Sequence, residues 1–185
     1  KFVLEEIKAI LKEQKIPYFE DKVGQIVAGV NSSAKLKNKK YIAFVAHTDH
    51  PGFHVTEKIS DNSYKAMWFG GAPFSQMEGA KVRIFDESSA TKYTKGRIKN
   101  LVQGVSHREG IPFEIETTKP LKTVESFGAF DFSGVKLKKD FVVTKCADDL
   151  AGCVMALGAL IDTDLKTALL FLLEQKKWAL WVALN

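Results

Sequence analysis

The segment Ala46–Val55 reads AHTDHPGFHV and gathers three of the chain's four histidines with an aspartate. His47 and Asp49 stand two apart. On an extended chain such residues point the same way, so the carboxylate can approach the imidazole and hold it for a metal. A hydrogen-bonded structural histidine accounts for the pair equally well. A second polar group, Lys145–Cys153 (KCADDLAGC), sets Asp148 beside Asp149. Asp149 reads as a helix cap, because a carboxylate accepts hydrogen bonds from the free amides of a first turn. Two adjacent carboxylates at a buried strand end repel one another, and a cation relieves that repulsion. His47 with Asp148 would offer one nitrogen and a carboxylate able to bridge, donor types that suit zinc, cobalt or manganese. Two ions sharing that carboxylate would lie about 3.5 Å apart, where they generate hydroxide and polarise a carbonyl.

These groups need elements to bring them together. Phe2–Gln14 places Val3, Leu4, Ile7, Ile10 and Leu11 at helical spacing with charges opposite, which predicts an amphipathic helix. Val23–Val30 and Tyr41–Ala46 read as strands, the second apolar throughout, as in a central strand covered on both faces. The histidine segment begins where that strand ends. From Glu57 to about Lys139 the texture changes to short runs such as Lys81–Phe85 and Phe113–Glu116, punctuated by Gly70, Gly71, Gly79, Gly104 and Gly110. Phe141–Thr144 returns to a buried-strand pattern and Asp149–Leu160 to a helix. The expectation is an open α/β domain over 1–56 and 140–185, interrupted by a small β insert over 57–139. Ligands of open α/β sheets sit beyond the carboxyl ends of strands, so both polar groups would face one crevice.

Composition narrows the partners. With 45% hydrophobic and 26% charged residues among 185, the chain reads as a globular protein with no bilayer-spanning run. The net charge of +5 comes from scattered lysines, among them Lys35–Lys40 (KLKNKK) and Lys136–Lys139 (KLKK). No aromatic residues interleave with these, so solvated loops are expected in place of a nucleic-acid surface. Cys146 and Cys153 lack the spacing of a disulfide framework or zinc knuckle and read as small buried packing residues in a reduced, cytoplasmic protein. The chain begins at a lysine without a charged-then-apolar leader, so no secretory signal is expected.

In combination the motifs resemble a known family. AHTDHPGF is similar to the AHxDE-G-F element of co-catalytic metallo-aminopeptidases of the glutamyl or deblocking aminopeptidase family, whose members form tetrahedral dodecamers. KCADDLAGC resembles its K-A-L-D-D/N-R-x-G-C element, and Met67–Phe85 with YTKGRI resembles its insert. The likeness runs in order from Lys1 to about Phe171. It implies an open-sheet zinc-peptidase (phosphorylase/hydrolase-like) domain carrying a β-barrel insert. It also implies two divalent ions, zinc or cobalt, acting on peptide substrates in a homo-oligomer. His47 matches a metal ligand, Asp148 the metal-bridging aspartate, and Asp49 the catalytic-set carboxylate that orients the histidine. The family's Glu after the H-x-D aspartate is His50 here, and its Arg after the paired acids is Leu150. His54 and His107 match no ligand and read as surface or strand residues. The implied activity is removal of N-terminal residues from peptides by a di-metal-activated water. The alternative is an inactive remnant or assembly module with a vestigial metal site. A glycosidase is disfavoured, since it needs two carboxylates flanking a sugar cleft and Asp148 and Asp149 are adjacent.

The resemblance breaks near the C-terminus. A strand leading into E-E-V-G-x-x-G is expected there, supplying the general base and another ligand, where this chain reads ALLFLLEQKKWALWVALN. Moved back by one base after Phe171, the codons for the last residues can read FTRAEEVGFVGGF. Two of those glycines are forced by the single Trp codon at Trp178 and Trp181, while the glutamates depend on third bases at Gln175 and Lys176. One extra T near Phe171 is therefore expected in the coding sequence; an ordinary apolar tail is the alternative.

Overall fold

The computed structural model of the chain describes residues 2–37, 41–86, 91–105, 109–162 and 168–173. In chain order the helices and strands are α1 (Phe2–Glu13), β1 (Tyr18–Glu20), β2 (Ile26–Ala28), β3 (Ile42–His47), β4 (Gly52–Ser60), β5 (Ser63–Phe69), β6 (Lys81–Asp86), β7 (Tyr93–Lys99), β8 (Ile111–Thr117), β9 (Ser126–Phe130), β10 (Lys136–Lys138), β11 (Phe141–Val143), α2 (Ala147–Asp162) and β12 (Ala168–Leu173). They fall into two units, Lys1–His50 with Val135–Asn185, and Pro51–Gly134.

The first unit is a four-stranded sheet in the order β1-β2-β12-β3, in which β12 runs antiparallel to β2 and parallel to β3. Helix α1 forms because Leu4, Ile7 and Leu11 recur on one face, and all three are buried with Ile26, Ala28 and Ala46. The same cluster takes Cys153, Ala156, Leu157 and Leu160 from α2. The first helix ends at Lys15, whose φ of 55° is left-handed. Ile16 N–H then bonds Leu11 C=O at 2.9 Å and Lys15 N–H bonds Lys12 C=O at 3.1 Å, closing a Schellman motif that satisfies two terminal carbonyls.

The expected strand over 23–30 is shorter and has an antiparallel partner that the apolar pattern does not reveal. Asp21 makes that hairpin: its Oδ1 accepts from Val23 N–H and Gln25 N–H, both at 2.9 Å, and Gly24 takes a φ of 85°. The expectation that β3 is covered on both faces is also corrected. It is the last strand of its sheet among the described residues, and Ile42 and Val45 are 56% and 60% exposed. Phe141–Thr144 is likewise not a buried strand of that sheet: β11 pairs with β10 in a separate two-stranded ribbon, and Phe141 and Val142 are exposed.

The second unit closes a barrel in the order β4-β5-β8-β7-β6-β9, with β9 returning antiparallel to β4. It begins at Pro51 and ends at Gly134, where the sequence placed the insert at 57–139. The difference arises because β4 starts at Gly52, inside the segment read as the histidine cluster. Alternation sets the interior: Ile111, Phe113, Ile115 and Thr117 of β8 point inward and are buried. Phe53, Trp68 and Phe113 meet at the centre, the phenylalanines edge to face at 5.4 Å. Gly128 is required beside them, because a Cβ there would lie 2.2 Å from the Phe53 ring and 2.5 Å from Arg83 O. His54 lies on β4, exposed, with its ring edge-on to Phe69. His107 lies outside the described residues, as does the tail 174–185 that carries the frame expectation. Among the described residues no helix is long and apolar enough to cross a membrane.

Candidate metal centre

The site lies within the first unit, where the end of β3 meets the start of α2. His47 is the last residue of β3 and Asp49 follows two residues on. Asp148 and Asp149 open α2 with non-helical backbone angles (φ −93°, ψ 104° and φ −126°, ψ 31°), and the peptide bond between them is cis.

The three residues selected from the sequence are brought together. His47 Nδ1 lies 3.0 Å from the backbone oxygen of Asp49, and His47 Nε2 lies 3.2 Å from Asp148 Oδ1. A carbonyl can only accept, so Nδ1 carries the hydrogen, and a neutral imidazole then turns its Nε2 lone pair toward Asp148. Two acceptors thus face one another, an arrangement that needs a cation between or beside them. A proton on Nε2, giving an imidazolium ion pair, meets that need, and so does a metal. The separation also suits the metal: two tetrahedral ligands each about 2.0–2.1 Å from one ion are about 3.3 Å apart. Asp148 leaves room for it, its side chain being 94% exposed.

Asp49 orients the ring differently from expectation. Its backbone carbonyl is the nearer partner, while its carboxylate Oδ1 lies 3.5 Å from Nδ1, buried and without a hydrogen bond among the described residues. A slight rotation of the imidazole would let Nδ1–H serve that orphaned oxygen, so the carboxylate can hold the ring in a second orientation. Among the described residues no three His, Cys, Asp or Glu side chains converge to hold a metal.

The surrounding charges act on His50 and the thiols. Crowding by protein atoms, aided by the Lys145 ammonium and opposed by Asp49, holds His50 below the ordinary 6.5. Burial, with the nearby Asp149 carboxylate, pushes the Cys153 thiol up to about 11, and burial also raises Cys146. Both therefore stay protonated at neutral pH and pack as small apolar groups, as the sequence suggested.

Sequence reasoning missed what Asp149 does besides capping. Its Oδ1 accepts from Gly152 N–H at 3.2 Å, the cap, and its Oδ2 accepts from the backbone N–H of His47, also at 3.2 Å. The D-x-x-G spacing was the available signal, since only glycine leaves that carboxylate room.

An α/β unit interrupted in sequence by a closed six-stranded barrel is a fold this chain shares with solved aminopeptidases of archaea. One is aminopeptidase APDkam598 from Desulfurococcus kamchatkensis, with a TM-score of 0.72 at 19% identity over 95% of this chain and 51% of its own. The TET1 peptidase of Pyrococcus horikoshii, which can assemble into a tetrahedron or a large octahedral shell, matches with a TM-score of 0.65 at 18% identity over 96% of this chain and 58% of its own. A Thermotoga maritima protein described as an endoglucanase matches with a TM-score of 0.65 at 20% identity over 98% of this chain and 56% of its own. The chain thus spans about half the length of these structures. No protein-family model and no curated protein matches it.

Proposed function

We propose that these residues belong to a metal-dependent aminopeptidase that removes N-terminal residues from peptides. The carrying observation is the pair of acceptors 3.2 Å apart, His47 Nε2 and Asp148 Oδ1, with Nδ1 committed to a carbonyl. His47 and Asp148 would hold one divalent ion, zinc or cobalt, with the exposed face of Asp148 free to bridge to a second. When bound, the ions supply Lewis acidity to water and to a peptide carbonyl. Asp49 steadies the imidazole. The fold is shared with archaeal aminopeptidases, and the activity proposed is that of the whole protein, to which this chain brings part of the ligand set. Assembly into a homo-oligomer and a cytoplasmic location belong to the same proposal.

A second reading, a remnant or assembly module with a vestigial metal site, draws on the absence of a third ligand among the described residues. Turnover of a panel of aminoacyl-p-nitroanilides with added zinc or cobalt separates the two. Metal-dependent release of nitroaniline, abolished in His47→Ala and Asp148→Asn, supports the peptidase; metal binding without turnover supports the remnant.

A further inference from the structure

The backbone of His47 is held by α2. In a strand the N–H and C=O of one residue point to the same side. Both of these groups on His47 are taken by the start of the helix: the N–H donates to Asp149 Oδ2 at 3.2 Å, and the carbonyl accepts from the Cys153 thiol at 3.3 Å. Asp149 is fixed in turn by its other oxygen, which receives the Gly152 N–H at 3.2 Å. Gly152 makes this possible, since a Cβ there would sit 2.1 Å from Asp149 Oδ1 and would displace the carboxylate.

We infer that Asp149, Gly152 and Cys153 form a clamp on the backbone of His47 that aims its imidazole beside Asp148, with Asp149 the principal positioning residue. The inference rests on the metal reading of His47 for its consequence, while the clamp itself is a matter of backbone hydrogen bonds. Asp148 and Asp149 thereby divide the work of the acidic pair. Asp148 turns its carboxylate outward beside the imidazole, and Asp149 turns inward to tie a strand end to a helix start 102 positions away in sequence. The thiol contributes the weaker bond, because S–H is a poor donor. Registering strand and helix in this way sets the angle at which the His47 ring leaves the strand, and ligand orientation of this kind changes metal affinity roughly 10- to 100-fold.

The test uses the full polypeptide that carries these residues and two readouts other than turnover. One is amide hydrogen exchange at His47 in metal-free protein, and the other is zinc affinity by competition with a chromophoric chelator. Asp149→Ala and Gly152→Ala should each speed exchange at His47 at least about tenfold and weaken zinc about 10- to 100-fold. Gly152→Ala is the sharper variant, because alanine favours the helix itself and a purely structural role predicts a gain in helix stability with no loss of zinc. Asp149→Asn keeps one acceptor oxygen and should restore part of both effects; it also serves if Asp149→Ala fails to fold. Cys153→Ser should retain more affinity than Cys153→Ala. Unchanged exchange in Asp149→Ala and Gly152→Ala overturns the clamp, and faster exchange with unchanged zinc affinity overturns its aiming role. Wild-type protein that binds no zinc, or binds it as well after His47→Ala, overturns the metal reading instead, and exchange alone then decides the clamp.

Discussion

The two units solve opposite problems. The barrel joins its first strand to its last, so β4 through β9 leave no sheet edge, and its interior is filled by side chains such as Trp68, Ile98, Ile111 and Ile115 that are wholly buried. Among the described residues of the α/β unit β3 is the last strand of its sheet, with Ile42 and Val45 exposed, and the polar cluster lies at the end of that strand. Closure turns the barrel strands toward one another, whereas the end of β3 brings His47 and Asp49 beside Asp148 at the start of α2.

The largest expected effect breaks that contrast with one residue type. Ile115→Ala, inside the barrel, should cost about 2–5 kcal/mol in urea unfolding followed by tryptophan fluorescence. Ile42→Ala, at the exposed start of β3, should stay within about 0.5 kcal/mol. A cost above about 1 kcal/mol at Ile42 in the full protein would mean that another segment covers β3.

Next comes Gly128→Ala, whose new methyl meets the Phe53 ring at 2.2 Å and Arg83 O at 2.5 Å. It should destabilise the barrel by about 1–3 kcal/mol, read in the same unfolding curve. An unchanged midpoint would show that the barrel core is less tightly packed than described. In the other unit, Lys15→Gly relieves a left-handed φ of 55° at the end of α1 and should stabilise by about 1 kcal/mol in thermal unfolding.

Much of this was legible from the sequence where it depended on neighbours along the chain. The spacing of Leu4, Ile7 and Leu11 marks α1, the apolar run of 41–46 marks β3, and the glycine-punctuated runs mark a β-rich unit. His47, Asp49 and Asp148 stood out by residue type. What escaped depends on groups that meet only in the folded chain. The β1–β2 hairpin is set by the Asp21 carboxylate bonding two amides. The unit boundary at Pro51 follows from the closure of β4 on β9, a pairing that no local pattern announces. Exposure of Ile42, Val45 and Phe141 was hidden because apolar runs read as buried whichever side of a sheet is covered. The bond from Asp149 to His47 spans 102 positions, so the sequence showed a helix cap and no more.

A smaller effect is the titration of His50. Its pKa lies below the ordinary 6.5, so the folded state favours the neutral ring. The stability it contributes is present above about pH 6.5 and is lost as pH falls through its lowered folded value. Lys145→Met removes the second of the causes, so the His50 titration followed by NMR should move partway back toward 6.5. A titration unmoved by that change would place Lys145 too far away to act.

The facing acceptors of His47 and Asp148 are the proposed metal site. The most direct test is the anomalous scattering at the zinc edge from crystals of the full protein grown with zinc. A peak is expected about 2.0–2.2 Å from both His47 Nε2 and an Asp148 carboxylate oxygen. Density showing those two atoms bonded directly to one another, with zinc bound elsewhere or nowhere, would contradict it.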